Sequence, residues 1–232
     1  MRLIFLLKTF LLFYSIKKSL SLGIDLVIKC SPKSANILLL IDTSSNIDSN
    51  SFNDLTNRII PSLIDDFKSN LSNFFLSIIP YSDKIEVMAL EKVDETVSFK
   101  NRLNAIEKKN ANSNHILALE KSTKLFRDVA NNLNLCVWFT DGKFQDNIFS
   151  NITRKADNLK NFCQILTVNI GKVSNQMNLK RVSSEPRLMF ELNKIDLFSS
   201  KVNEIFNLGC ISDAIKKLSL SVIKIRFQKK KY

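Results

Sequence analysis

Glycine and proline are scarce, four of each in 232 residues, which excludes a fibrous or linker-rich protein. The glycines are scattered at Gly23, Gly142, Gly171 and Gly209. No G-x-G-x-x-G, phosphate-binding loop or G-x-S-x-G elbow can be built from them, so the common signatures of nucleotide-binding and hydrolase enzymes are missing, and no enzymatic activity is expected. There is one histidine, His115, and no cysteine pair has C-x-x-C spacing. A zinc site therefore lacks its ligands. With no Ser or Cys nucleophile motif beside it, His115 reads as a loop or helix-start residue. The single tryptophan, Trp138, lies within an apolar run and reads as core.

What is present is the composition of a globular protein: 45% hydrophobic residues and heavy use of Asn, Lys, Ser, Ile and Leu. The formal net charge of +12 is unevenly spread. Arg2, Lys8, Lys17 and Lys18 fall in residues 1–23, which read as a signal peptide: a short basic start, an apolar stretch from Leu3 to Ile16, and small Ser21 and Gly23 before a cleavage point. That stretch is shorter than the ~20 residues of a membrane span, and no other segment qualifies. A secreted protein with no membrane span after leader removal is expected. Residues 211–232 form a basic tail in which Lys216, Lys217, Lys224, Arg226, Lys229, Lys230 and Lys231 face one acid, Asp213. The tail reads as an extra strand, an interaction segment or a free end. The middle of the chain is close to neutral, which weakens the case for nucleic acid as partner.

Four cysteines, Cys30, Cys136, Cys163 and Cys210, allow two disulfides in an oxidising compartment. Cys136 and Cys163 open strands expected to be neighbours and are placed to pair. Unpaired cysteines linking copies into homo-oligomers are the alternative. The sequons Asn70-Leu71-Ser72 and Asn151-Ile152-Thr153 fit the same compartment.

Continuous apolar runs at Asn36–Ile41, Phe74–Ile79, Leu135–Phe139 and Ile165–Ile170 read as strands buried on both faces. A final strand is expected at Leu188–Leu192, and an antiparallel edge strand at Ile85–Leu90 after the turn Tyr81-Ser82-Asp83. Helical spacing falls between them: Phe52 to Phe67 with a break at Pro61, a short segment at Leu103 and Ile106, Ile116 to Val129, Ile148 to Phe162, Met177 to Val182, and Ile195 to Phe206. Strands alternating with helices specify an α/β fold, a doubly wound, mostly parallel sheet with helices on both faces.

In such a sheet, ligands bind beyond the carboxyl ends of the strands. Asp42-Thr43-Ser44-Ser45-Asn46 follows the first strand, and Asp141-Gly142 follows the strand carrying Trp138. The loop Asn110–Asn114 precedes a helix that starts at the same edge. Converging carboxylates, hydroxyls and an amide make an oxygen-only site, suited to Mg²⁺ or Mn²⁺. Taken singly, Asp42 and Asp141-Gly142 also suit plain turns, and Ser44 or Ser45 a helix N-cap.

Together these residues resemble the von Willebrand factor A and integrin I domains. Asp42-Thr43-Ser44-Ser45-Asn46 is similar to the family's Asp-x-Ser-x-Ser signature, and Phe139-Thr140-Asp141-Gly142 to its second Asp motif. Tyr81-Ser82-Asp83, Ser113–Leu119 and Ser184-Glu185-Pro186 follow the family order over roughly 36–208. The resemblance implies a domain spanning about 30–210 and a metal-ion-dependent adhesion site of Asp42, Ser44, Asn46, Ser113 and Asp141. Two positions depart from the pattern. Ser113 stands for Thr and keeps the hydroxyl. Asn46 stands for Ser, and its amide reaches further. The implied function is adhesion: a bound Mg²⁺ holds an acidic group of a partner, an extracellular protein or sulfated glycan. Several extracellular members tie their chain ends, which here implies a Cys30–Cys210 bond. The leader and composition further resemble apicomplexan surface and micronemal adhesins, the thrombospondin-related anonymous protein family and soluble A-domain-related proteins. No thrombospondin repeat or acidic cytoplasmic tail follows, so a soluble member or part of a longer gene is expected. A rival reading is metal-independent polyanion binding by the tail cations.

Overall fold

The computed structural model describes residues 34–71, 73–93, 96–129, 133–171, 174–194 and 197–206. The leader, Cys30, Cys210 and the basic tail lie outside the described residues. The chain divides at Cys30/Ser31, and every described residue belongs to the second unit, Ser31–Tyr232.

Six strands form one sheet: β1 (Ala35–Asp42), β2 (Phe74–Tyr81), β3 (Glu91–Lys92), β4 (Leu133–Thr140), β5 (Gln164–Asn169) and β6 (Met189–Glu191). Their spatial order is β3-β2-β1-β4-β5-β6, and every pairing is parallel except β2–β3. The expected mostly parallel, doubly wound sheet with one antiparallel edge is thus what the chain adopts. Helices cover both faces: α1 (Ser49–Asn70), α2 (Thr96–Asn104), α3 (His115–Arg127), α4 (Asp146–Leu159), α5 (Gln176–Val182) and α6 (residues 197–206).

The apolar runs are continuous because each face has its own core. Ile37, Leu39 and Ile41 of β1 join Leu135, Val137 and Phe139 of β4 beneath α1 and α6. Leu38 and Leu40 join Cys136 and Trp138 beneath α3 and α4. Each strand alternates between the two, so β1 is apolar from Ile37 to Ile41, and its one earlier polar residue, Asn36, is buried and donates to Asn134 Oδ1 at 2.8 Å.

Three local features refine or correct expectation. Pro61 interrupts the first helix by a widened turn and does not end it. It falls in the first turn of Ile60–Asn70, and the preceding Leu55–Ile59 takes a π-helical turn in which Ile60 N–H donates to the Leu55 carbonyl. The wider turn accommodates the residue that cannot donate. The edge strand is not Ile85–Leu90. The chain touches β2 by a bridge at Tyr81 and Ile85, then by Met88 N–H to Ile78 O at 3.0 Å, and forms a regular ladder only at Glu91–Lys92. Alternation does predict an antiparallel return, but Ser77 Oγ intervenes by donating to the Met88 carbonyl at 2.5 Å. Finally, Cys136 and Cys163 are two buried free thiols, so the expected bond between them is not formed. The two thiols nevertheless touch on one face of the sheet, where burial and the neighbouring Cys136 push the Cys163 thiol well above its ordinary pKa, and the Cys163 thiol donates to the Leu159 carbonyl at 3.6 Å.

Candidate metal centre

The sheet register builds the site. Ile41 of β1 lies beside Phe139 of β4, so Asp42 arrives next to Thr140, with Asp141 one residue further on. Asp42 and Thr140 continue the face that carries Leu40 and Trp138, at the point where the two central strands run out. Backbone bonds then sew the surrounding loops together. Thr43 N–H donates to Tyr81 O at 2.9 Å, Ser45 N–H to Ala111 O at 2.9 Å, Lys109 N–H to Thr43 O at 2.7 Å, and Asn114 N–H to Ser82 O at 2.8 Å. The loop before α3 is thereby laid across the end of β1. Neither Ser44 nor Ser45 caps a helix. Asp48 caps α1 by accepting from Ser51 N–H, and Asn114 caps α3 by accepting from Leu117 N–H.

Asp42 is fully buried and is the hub. Its Oδ1 accepts from Ser44 N–H at 3.0 Å and from Ser113 Oγ at 2.9 Å, and its Oδ2 accepts from Thr140 Oγ1 at 3.0 Å. Burial raises its pKa above the ordinary carboxylate value, and the bonds from Ser44, Ser113 and Thr140 oppose that shift. Asp141 is 1% exposed. Its Oδ1 accepts from Lys143 N–H at 3.0 Å. Its pKa is also raised, first by burial and then by the like charge of Asp42, against the Lys143 N–H and ammonium.

Two buried oxygens on this floor, Ser44 Oγ and Asp141 Oδ2, make no hydrogen bond of good geometry, although the Ser44 hydroxyl lies near enough to Asp42 to favour its charged form. Leaving such groups unsatisfied costs about 1–3 kcal/mol each, more for a charged group. Two buried carboxylates, one with a free oxygen, beside the Ser44 hydroxyl suit a hard divalent cation that accepts hydroxyl, carboxylate and water oxygens. Among the described residues no three His, Cys, Asp or Glu side chains cluster as metal ligands. Any ion here would rest on two carboxylates, hydroxyls and water, which is the chemistry of Mg²⁺ or Mn²⁺ rather than of a closed zinc site. Of the five residues expected at the site, Asp42, Ser44 and Ser113 are joined by hydrogen bonds, and Asp141 is on the next strand. Asn46 sits exposed on the same loop.

The Asp141 loop depends on Gly142. Its φ of +70° is left-handed, and a Cβ there would lie 2.7 Å from Leu179 Cγ and 2.8 Å from the Asn175 carbonyl. Asn175 N–H donates to Asp141 O at 3.0 Å, and Asn178 Nδ2 to Gly142 O at 2.9 Å, which clamp the loop to the start of α5.

Beneath the floor runs a buried chain that the sequence reading does not contain. Trp138 Nε1 donates to Tyr81 Oη at 2.7 Å, and Tyr81 Oη lies 3.2 Å from His115 Nδ1. The hydroxyl accepts from the indole and shares the remaining hydrogen bond with the imidazole, whose tautomer sets which of the two donates. Burial lowers the His115 pKa to about 4, with the Asp141 charge pulling the other way. Phe144 packs edge-on against His115, with ring centroids 4.7 Å apart, and stacks on Trp138 at 5.6 Å.

The family model for the von Willebrand factor type A domain matches residues 36–208. The chain belongs to that family. The strand order and the meeting of loops over β1 and β4 are those of a von Willebrand factor A domain. Among solved structures it is similar to proximal thread matrix protein 1 from the mussel byssus with a zinc-occupied MIDAS motif. That match has 17% identity and a TM-score of 0.61, and covers 85% of this chain and 52% of the other. It is also similar to manganese-loaded Plasmodium vivax TRAP protein, with 15% identity and a TM-score of 0.58, covering 76% of this chain and 74% of the other. A third is the pilus adhesin SpaC from Lactobacillus rhamnosus GG, with 10% identity and a TM-score of 0.59, covering 77% of this chain and 30% of the other. The chain spans about half the length of the mussel protein. At these identities the likeness is one of fold. No curated protein matches the chain.

Thr140 is the residue closest to the chemistry that the sequence reading leaves without a role. Its signal was its place directly before Asp141, on the strand that faces Asp42. Among the described residues, no helix is long and apolar enough to cross a membrane.

Proposed function

We propose that this von Willebrand factor A domain is a secreted adhesion protein, in which Asp42, Ser44, Ser113 and Asp141 hold a divalent cation and a partner's acidic group completes its shell. The observation that carries this reading is the pair of buried oxygens without a hydrogen bond of good geometry, Ser44 Oγ and Asp141 Oδ2, beside the raised carboxylate of Asp42. The ion supplies Lewis-acid attraction for a carboxylate or sulfate. The chain's own residues do the rest. Asp42 fixes the Ser113 and Thr140 hydroxyls, Ser44 and Asp141 present oxygen, and Gly142 lets the Asp141 loop turn back to α5. Asn46 is positioned at the exposed rim, where its amide adds a further oxygen. The reading is supported by the titles of two fold relatives, one manganese-loaded and one with zinc at its MIDAS motif. The domain is proposed to extend over 30–210, behind the leader 1–23. The apicomplexan, micronemal type is the narrower proposal, resting on leader and composition.

Binding to cultured host cells in Mg²⁺, in EDTA and by Asp141→Ala tests the reading. Loss of binding in both EDTA and the folded variant is expected. Binding that survives both but falls steeply with salt would instead favour the tail cations Lys216 to Lys231 acting on sulfated glycans.

A further inference from the structure

Lys143 is the cation of the site's rim. Its Nζ lies 3.8 Å from Asp141 Oδ2, the same oxygen that lacks a hydrogen-bond partner. That distance is too long for a hydrogen bond and short enough for charge attraction. The geometry comes from the turn. Asp141 Oδ1 accepts the Lys143 main-chain N–H at 3.0 Å, which holds the carboxylate and the lysine's Cα in fixed relation. The lysine side chain is 46% exposed, whereas that of Asp141 is 1% exposed. The carboxylate is thus a fixed, buried charge, and the ammonium is a mobile one reaching it from solvent. The same lysine also lines an open hollow with Ser174, Asn175, Gln176 and Met177, so its side chain has a second place to lie.

We propose that Lys143 is a built-in competitor of the divalent cation: its ammonium offsets the Asp141 charge whenever no ion is bound and is displaced into the Ser174–Met177 hollow when one enters. The inference rests on the metal-site reading above and adds to it a residue that sets affinity without ligating. A +1 charge near a +2 ion is repelled, so the same lysine that steadies the ion-free floor weakens uptake. Because the ammonium end of the pair is half exposed, the attraction stays modest and is screened by salt. The ammonium also lowers the Asp141 pKa against burial, in keeping with a direct action on that carboxylate.

The test is calorimetric titration of the full secreted chain with Mn²⁺, comparing wild type with Lys143→Gln, Lys143→Arg and a distant control, Lys180→Gln. Lys143→Gln is expected to bind Mn²⁺ about three- to tenfold more tightly at low salt. The gain should shrink in 0.5 M NaCl on the order of the Debye screening. Lys143→Arg and Lys180→Gln should stay near wild type. Thermal melts give a second readout. Lys143→Gln should melt earlier than wild type without metal and no earlier with it, whereas loss of a merely structural contact would lower both. Equal or weaker Mn²⁺ binding by a folded Lys143→Gln overturns the proposal and leaves the metal site standing. No uptake by wild type or variant overturns both.

Discussion

Replacing Tyr81 by Phe removes one oxygen atom from a fully buried site and changes no shape. It should nonetheless be costly. Tyr81 Oη accepts from Trp138 Nε1 at 2.7 Å and lies 3.2 Å from His115 Nδ1. All three side chains are at most 3% exposed, so water cannot replace the lost partner. The stranded indole N–H costs about 1–3 kcal/mol, and the imidazole nitrogen adds about 1 kcal/mol. The expected loss is about 2–4 kcal/mol, or roughly 4–16 °C in Tm for a domain of this size. Trp138 is the only tryptophan in the chain, so its emission reports the break directly. Mn²⁺ affinity should stay close to wild type, because Tyr81 anchors Thr43 through its main-chain oxygen, which Phe keeps. Chemical denaturation with fluorescence detection measures all of this on one sample. A Tyr81→Phe protein with unchanged midpoint and unchanged emission would refute the hydrogen-bonded chain.

Gly142→Ala should destabilise by at least about 1–2 kcal/mol from its left-handed backbone alone, with more from contact against the Asn175 carbonyl, and should weaken Mn²⁺ binding by moving Asp141. A melt and a titration check both. Acid separates His115 from the carboxylates. His115 falls to about 4 in the fold, so its contribution is present above the ordinary value near 6.5 and is lost as pH drops through about 4, at most about 3 kcal/mol in all. Asp42 and Asp141 are raised, so their ion-free cost is relieved as pH falls through their folded values. Melts at pH 7 and pH 4.5 should show wild type losing ground to His115→Gln as the medium becomes acidic; a constant gap would contradict the buried neutral imidazole.

Much of this architecture is legible in the sequence because burial on both sheet faces leaves a plain mark. Ile37–Ile41 and Leu135–Phe139 have no polar alternation, and an aspartate follows each within two residues, where the sheet ends. The site's carboxylates are visible for the same reason. What is hidden depends on contacts between elements. Thr140 gains its role only from register with Asp42. The Trp138–Tyr81–His115 chain joins two strands and a helix start, and nothing in local spacing announces it. The π-turn before Pro61 and the late ladder at Glu91–Lys92 are local compromises, set by a missing N–H and by the Ser77 hydroxyl. Cys136 and Cys163 do meet, as adjoining segments imply, but as two buried thiols.

The central claim is that Ser44 Oγ, which makes no hydrogen bond of good geometry in the buried floor, is a ligand of the ion. Calorimetry of Ser44→Ala with Mg²⁺ and Mn²⁺, alongside melts without metal, tests it most directly. The account predicts that the ion-free variant is as stable as wild type or more so, by up to about 1 kcal/mol, and that it no longer takes up metal. A folded Ser44→Ala that binds Mn²⁺ as tightly as wild type, or a wild-type chain that takes up no divalent ion, would contradict it.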